Sequence, residues 1–309
     1  MNINETENTV IKVEKLVKSY KDLVAVNQVS FTVKKGEVFT LLGLNGAGKT
    51  TTIEILEGIK KPDSGYVEIF GFDIARQPKK VKEKIGVQLQ DTDFYRELKV
   101  KEICRQFANF YTDPMSPGEL LKWVDMEDKR DALIRELSGG QRRKLALALA
   151  LVNRPEIIFL DEPTSGVDVK IRHSLWEMIC DLKKRGMTVF LTTHYLEEAE
   201  SISDRVAILH KGNMMAIDTP QHLIQDKSWS INIKFKTLNP LAPGIITAGS
   251  PRFGNLKSAG GFYILEVNEM EQAVIDLINL VKENKNQITE LHAEQNSLED
   301  IFIELTKGD

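Results

Sequence analysis

Apolar and polar positions alternate along this chain in two rhythms, and their order lays out most of its elements. Val29, Phe31 and Val33 alternate with polar neighbours, which predicts a half-buried strand within Val24–Val33, with a shorter strand at Val10–Val13 ahead of it. Solid apolar runs at Glu37–Leu42, Ile157–Leu160 and Met187–Thr193 read as buried strands, with further strands at Tyr66–Gly71 and Val206–Leu209. Helical spacing occupies Thr51–Leu56, Lys79–Lys84, Leu145–Val152 and Ile171–Arg185, the last with Leu175, Ile179 and Leu182 on one face. Leu196–Ser201 reads as an acidic helix. Between Asp91 and Arg135 the pattern is mainly helical, broken once by Pro114, Pro117 and Gly118, so a helical subdomain over about 91–150 is expected. Strands alternating with helices place residues 1–220 in the α/β class.

Past Pro220 the pattern changes. Ile231, Ile233 and Phe235 alternate in a strand, Pro240–Ser250 reads as a loop, and Phe262–Val267 is a second strand. Met270–Glu283 carries Val274, Leu277, Ile278 and Val281 on one helical face, Ile288–His292 is strand-like, and Ile301–Thr306 is a short terminal helix. Residues 221–309 are therefore expected to form a small α+β domain without a catalytic constellation.

Composition narrows the picture. The 309 residues are 42% hydrophobic and 28% charged, enough for a large core, and a net charge of −4 supplies no basic field for nucleic acid. The first residues are acidic and polar, unlike a signal peptide, and no apolar run approaches the ~18 residues of a membrane span. Cys104 and Cys180 lack metal-ligand spacing and suit a reducing compartment as small buried side chains.

The candidate chemistry sits between the strands. Gly43-Leu44-Asn45-Gly46-Ala47-Gly48-Lys49-Thr50 fits the P-loop pattern at every fixed position, with a strand before it and a helix after it. In that context the glycines turn backbone N–H groups toward a phosphate at a helix N-terminus, Lys49 reaches the β- and γ-phosphates, and the Thr50 hydroxyl ligates Mg²⁺. Leu137-Ser138-Gly139-Gly140-Gln141 opens a helix with a capping box from Ser138 to Gln141, and its two glycines leave an approachable anion site. The run Ile157–Leu160 ends in Asp161 and Glu162, placing a metal-side carboxylate and a water-polarising carboxylate at the strand edge where α/β proteins bind ligands. His194 stands at the end of another buried strand, facing the same crevice. Tyr20 lies in a polar stretch, and by local sequence it is either a loop anchor or a base-stacking ring.

Taken in order, Gly43–Thr50, Gln90, Leu137–Gln141, Ile157–Glu162, Ser165–Asp168 and His194 resemble the full motif set of an ATP-binding cassette (ABC) ATPase, across roughly Val10–Pro220. The resemblance implies a P-loop cassette, with a mixed-sheet core plus a helical subdomain, that binds ATP and Mg²⁺. It implies that Tyr20 stacks on adenine and that Gly43, Asn45, Gly46, Ala47, Gly48, Lys49, Thr50 and Thr51 cradle the phosphates. Thr50, Gln90 (with Gln88, two residues away, as the alternative) and Asp161 would attend the metal. Glu162 would be the catalytic base and His194 the γ-phosphate switch residue, with Lys49 and Gln90 also serving catalysis. Ser138, Gly139, Gly140 and Gln141 would close over the γ-phosphate of ATP held by another cassette. Leu44 and Val167 depart from the residues most usual at their positions, without removing a phosphate, metal or water contact. The ending Ser297–Thr306 looks like the tail of bacterial cassettes that pair with separate export permeases, including drug- and antibiotic-export systems. The resemblance thus implies a cytoplasmic ATPase subunit, homodimeric, bound to the inner membrane face through an integral-membrane permease, with no nucleic-acid partner. Import cassettes and soluble cassettes acting on ribosomes or nucleic acid share the motifs; tandem cassettes or long heptad runs, which mark the soluble ones, are missing here.

Overall fold

The computed structural model describes residues 8–88, 94–225, 231–267, 269–295 and 297–306. By contact density the chain divides into two compact units, Met1–Pro220 and Gln221–Asp309.

The first unit begins with two long antiparallel strands, β1 (Thr9–Tyr20) and β2 (Leu23–Lys34). The fully buried β3 (Val38–Leu42) leads into helix α1 (Lys49–Leu56), followed by β4 (Ser64–Ile69) and β5 (Phe72–Asp73). Helix α2 (Pro78–Lys82) and β6 (Ile85–Gln88) precede three helices, α3 (Val100–Ala108), α4 (Pro117–Trp123) and α5 (Gly139–Ala150). Then come β7 (Ile157–Asp161), α6 (Val169–Lys184), β8 (Thr188–Thr193), α7 (Leu196–Ile202), β9 (Arg205–His210) and β10 (Asn213–Asp218); α8 (Pro220–Gln225) starts at the boundary between the units.

The strands form two sheets. One is six-stranded in the order β10-β9-β3-β8-β7-β6, parallel except for the β10 edge; the other is antiparallel, in the order β2-β1-β4-β5. Each central strand is buried on both faces, and alternate residues serve different cores. Val38, Ile158, Leu160, Val189 and Leu191 pack with α3–α6 in one cluster; Phe39, Leu41, Ile157, Phe159 and Phe190 pack with α1 and the antiparallel sheet in the other. Phe31, Phe39 and Phe190 stack, with centroids 5.3 Å and 5.5 Å apart in succession, and this couples the two sheets.

This layering brings the site together. In a parallel sheet all carboxyl ends share one edge, and the register pairs Leu42 with Thr193 and Asp161 with Thr192. The loop after β3 and the ends of β7 and β8 are therefore level.

Several expectations change. Tyr20 ends strand β1 rather than lying in a loop, and β1 runs far beyond the expected Val10–Val13, while β2 matches the expected Val24–Val33 to within one residue at each end. A backbone irregularity accounts for the longer β1: Lys15 has positive φ (47°), and the β1–β2 register shifts between Val13 and Leu16. The helical stretch has no separate core; its apolar residues join the cluster that covers one face of the six-stranded sheet. Cys104 is buried among them, and burial pushes its thiol up to about 12, as befits an inert packing group.

The second unit is an antiparallel sheet in the order β12-β13-β11-β14. It runs β11 (Ile231–Thr237), α9 (Pro243–Thr247), β12 (Phe253–Ala259), β13 (Phe262–Val267), α10 (Met270–Glu283), β14 (Ile288–Gln295) and α11 (Leu298–Thr306). Ile233, Phe235, Leu265 and Val267 pack against Ala273, Leu277 and Val281 of α10. The stretch expected to be loop contains α9, with a proline in its first turn. Strand β12 escaped the sequence pattern because it is an edge strand with only Phe253 buried.

Candidate active site

The loop between β3 and α1 turns where only glycine fits. Gly48 has φ 104°, and a Cβ there would lie 2.2 Å from the Ala25 carbonyl oxygen; a Cβ on Gly43 would lie 2.5 Å from the carbonyl oxygen of Leu209. Lys49, only 4% exposed, folds beneath the loop and donates to the carbonyl oxygens of Gly43 (2.8 Å) and Leu44 (3.2 Å). Its Nζ also pairs with Glu162 Oε1 at 3.1 Å, and Glu162 Oε2 meets His194 Nδ1 at 3.0 Å. One carboxylate thus joins the P-loop lysine and the histidine at the end of β8.

Glu162 follows β7 with φ 46°, a left-handed conformation that costs a non-glycine residue about 1 kcal/mol or more. Asp161 ends β7 at 4% exposure. Burial pushes the Asp161 carboxyl above the ordinary range, opposed by hydrogen bonds from the hydroxyls of Thr192 and Thr50. A buried carboxylate whose solvation is incompletely replaced, beside a hydroxyl, is a hard oxygen donor set that suits Mg²⁺.

A cavity of about 560 Å³ opens over these groups. Asn45, Gly46, Gly48, Lys49, Thr50, Thr51, Glu162 and His194 line it, as do Ser165 and Tyr20. The Tyr20 ring carries Lys18 and Lys60 ammonium groups at 5.7 Å and 5.3 Å from its centroid, leaving it 39% exposed at the cavity mouth. Gly43 and Ala47 shape the loop without reaching the lining, Ala47 by accepting from Gly212 N.

Ser138, Gly139, Gly140 and Gln141 are not on this wall. Ser138 caps α5, accepting from Gln141 N (3.2 Å), while Gln141 Oε1 accepts from Ser138 N (2.9 Å), as the capping-box spacing predicts. Gly139 is exposed. Gly140 is buried for a packing reason: a Cβ would meet Ile171 Cδ1 at 2.4 Å. Gln90 lies outside the described residues.

Sequence reasoning missed two buried groups around the site. The Thr192 hydroxyl lies between Asp161 and the Glu162 amide. Glu198, read as part of an acidic helix, is wholly buried; its Oε1 accepts from Thr164 Oγ1 (2.9 Å) and Trp176 Nε1 (2.8 Å). It ties the turn after Glu162 to α6 and α7. The only cue was its spacing with Ala199 and Ile202 on one face.

Glu57, at the end of α1, is 2% exposed and neither carboxylate oxygen has a hydrogen-bond partner. Burial first, then the charges of Asp161 and Glu54, raise its pKa to about 8. From its ordinary 4.5 up to about 8 the folded chain keeps a proton that the unfolded chain has released, so stability falls as pH rises through that window. Glu57→Gln removes the titration. The variant should match wild type near pH 4.5 and exceed it by a few kcal/mol, on the order of the shift, at pH 8 in denaturant melts. A stability difference constant with pH would refute this assignment.

Comparison with known proteins decides the family. The ABC transporter family profile matches residues 26–165, from β2 to the turn after Glu162. A Nod factor export ATP-binding protein I of Rhizobium meliloti is 34% identical over 303 residues, covering 96% of this chain and 88% of that protein. The chain belongs to the ABC transporter ATP-binding family. A second Nod factor export ATP-binding protein I, from Burkholderia orbicola, is 39% identical over 215 residues, 68% of this chain and 71% of its own. Among solved structures, an ATP-binding subunit of an ABC transporter shares 30% identity with a TM-score of 0.62, covering 71% of this chain and 93% of its own. A dimeric ATP-binding cassette in a post-hydrolysis state with ADP and Pi shares 27% identity with a TM-score of 0.61, covering 68% and 98%. This ABC protein is the ATP-binding, ATP-hydrolysing subunit of a transporter. No described helix is long and apolar enough to cross a membrane.

Proposed function

We propose that this ATPase subunit powers export through a separate integral-membrane permease, by closing two copies of the chain around two ATP molecules. Residues 1–220 act as the ATPase domain and residues 221–309 as an accessory domain. The observation that carries the reading is the chain Lys49–Glu162–His194 on the wall of a cavity from which the Ser138–Gln141 loop is missing. The cavity has the lysine, carboxylate and histidine, but the loop implied to close over the γ-phosphate must come from a second copy. Export is supported by relatives named for export, one of them alignable over 96% of the chain.

In this reading the adenine stacks on Tyr20, and Lys49 with the amides from Gly43 to Thr51 holds the triphosphate. Thr50 and Asp161, with Gln90, hold Mg²⁺, which neutralises phosphate charge when bound. Glu162 takes a proton from the attacking water as its oxygen bonds to the γ-phosphorus. The bond from that phosphorus to the bridging oxygen breaks, leaving ADP and phosphate. His194, hydrogen-bonded to the same carboxylate, keeps it aimed at that water. The protein sits on the cytoplasmic membrane face, held by the permease.

Transport in sealed membrane vesicles that expose this chain tests the direction. Added ATP should drive substrate from the face bearing the chain to the opposite side. Movement toward that face would contradict export and favour the import alternative.

A further inference from the structure

Thr192 occupies a strand interior where a hydroxyl needs a reason. Its strand β8 is buried throughout, and Thr192 itself has no exposed surface. A buried hydroxyl without partners costs about 1–3 kcal/mol, so its partners define its purpose. It has two, and both belong to the carboxylate pair: Thr192 Oγ1 donates to Asp161 Oδ1 at 2.5 Å and accepts from the Glu162 amide at 3.1 Å. The same amide also points at the Thr192 carbonyl oxygen, 3.2 Å away. One side chain therefore sets the rotamer of Asp161 and pins the backbone of Glu162 in its left-handed conformation.

We propose that Thr192 is a positioning residue for hydrolysis: its hydroxyl relays the Glu162 amide to the Asp161 carboxylate and fixes the two carboxylates relative to each other. The hydroxyl touches neither ATP nor the attacking water. Its orientation makes it donor to one carboxylate and acceptor from the other residue's backbone, so the two cannot drift independently. A strand residue such as valine fills the same volume but leaves the Asp161 oxygen without its donor. It also leaves the Glu162 amide with the carbonyl alone. The effect should then fall on turnover and on the metal-side carboxylate, and hardly on the P-loop.

The inference rests on the assignment of Asp161 and Glu162 given above. Thr192→Val should lower kcat about ten- to a hundredfold, the scale for groups that orient a metal ligand or base, with KM for ATP changed less than about twofold. ATP binding measured without Mg²⁺ should match wild type, while the Mg²⁺ concentration that half-saturates the Mg²⁺-dependent gain in affinity should rise severalfold. Thr192→Ser, which keeps the hydroxyl, should restore most of both; Thr192→Cys, of similar size with a poor hydrogen-bonding group, provides the same contrast if the valine variant does not fold. Wild-type kcat and Mg²⁺ response in Thr192→Val would overturn the proposal, as would equal losses in the valine and serine variants, which point to packing. Glu162→Gln run alongside separates the two readings. If it hydrolyses ATP normally, the assignment of Glu162 fails; if it is inactive while Thr192→Val is normal, only the role of Thr192 fails.

Discussion

Glu162→Gln should bind ATP with an affinity within about threefold of wild type and lose at least a hundredfold in turnover. The substitution keeps size and shape, so its side chain still fits between Lys49 and His194. It removes the carboxylate proposed as base, which faces the P-loop lysine at the strand edge. Asp161, one residue earlier, cannot replace it, because its oxygens meet the Thr192 and Thr50 hydroxyls instead. Single-turnover hydrolysis separates the chemical step from product release. The loss should persist there, and a wild-type single-turnover rate would remove Glu162 from the base role.

Lys49→Ala should fail one step earlier, at binding. Lys49 is buried, and its ammonium group already gathers two loop carbonyls and the Glu162 carboxylate. Deleting it removes the cation proposed to meet the β- and γ-phosphates. It also leaves Glu162, 6% exposed, with His194 as its remaining partner. Unbalanced charge in a buried place is costly, up to ~3–5 kcal/mol where a pair is fully buried. ATP affinity should drop on the order of a hundredfold, about 3 kcal/mol, with hydrolysis falling at least as far. Calorimetric titration with ATP checks the first value, and a thermal melt checks that the variant is folded. An affinity near wild type would show that the loop amides alone hold the phosphates.

These two substitutions touch what the sequence made most legible. The P-loop can be read from Gly43 to Thr50 because each position answers a local demand: glycines where φ is positive or a carbonyl crowds, and a lysine at the helix start. Asp161, Glu162 and His194 were equally legible as charged ends of apolar runs, since a parallel sheet must deliver such ends to one edge. What stayed hidden depends on neighbours distant in sequence. Thr192 in the run Thr188–Thr193 looks like one more β-branched strand residue until β7 is laid beside it. Glu198 looks like a surface acid until Thr164 and Trp176 close over it. The full length of β1 was masked because the bulge at Lys15 breaks the two-residue alternation that reveals a strand. The Gly140 requirement comes from Ile171 on another helix, invisible in the local Ser-Gly-Gly-Gln motif.

The central claim is that each nucleotide cavity is half of a site and that a second copy of the chain completes it. The most direct measurement is the molar mass of Glu162→Gln by light scattering, with and without ATP and Mg²⁺. Blocked hydrolysis should trap the closed pair, so the mass should double on adding ATP and return when ATP is removed. A mass that stays at one chain under saturating ATP would contradict the account.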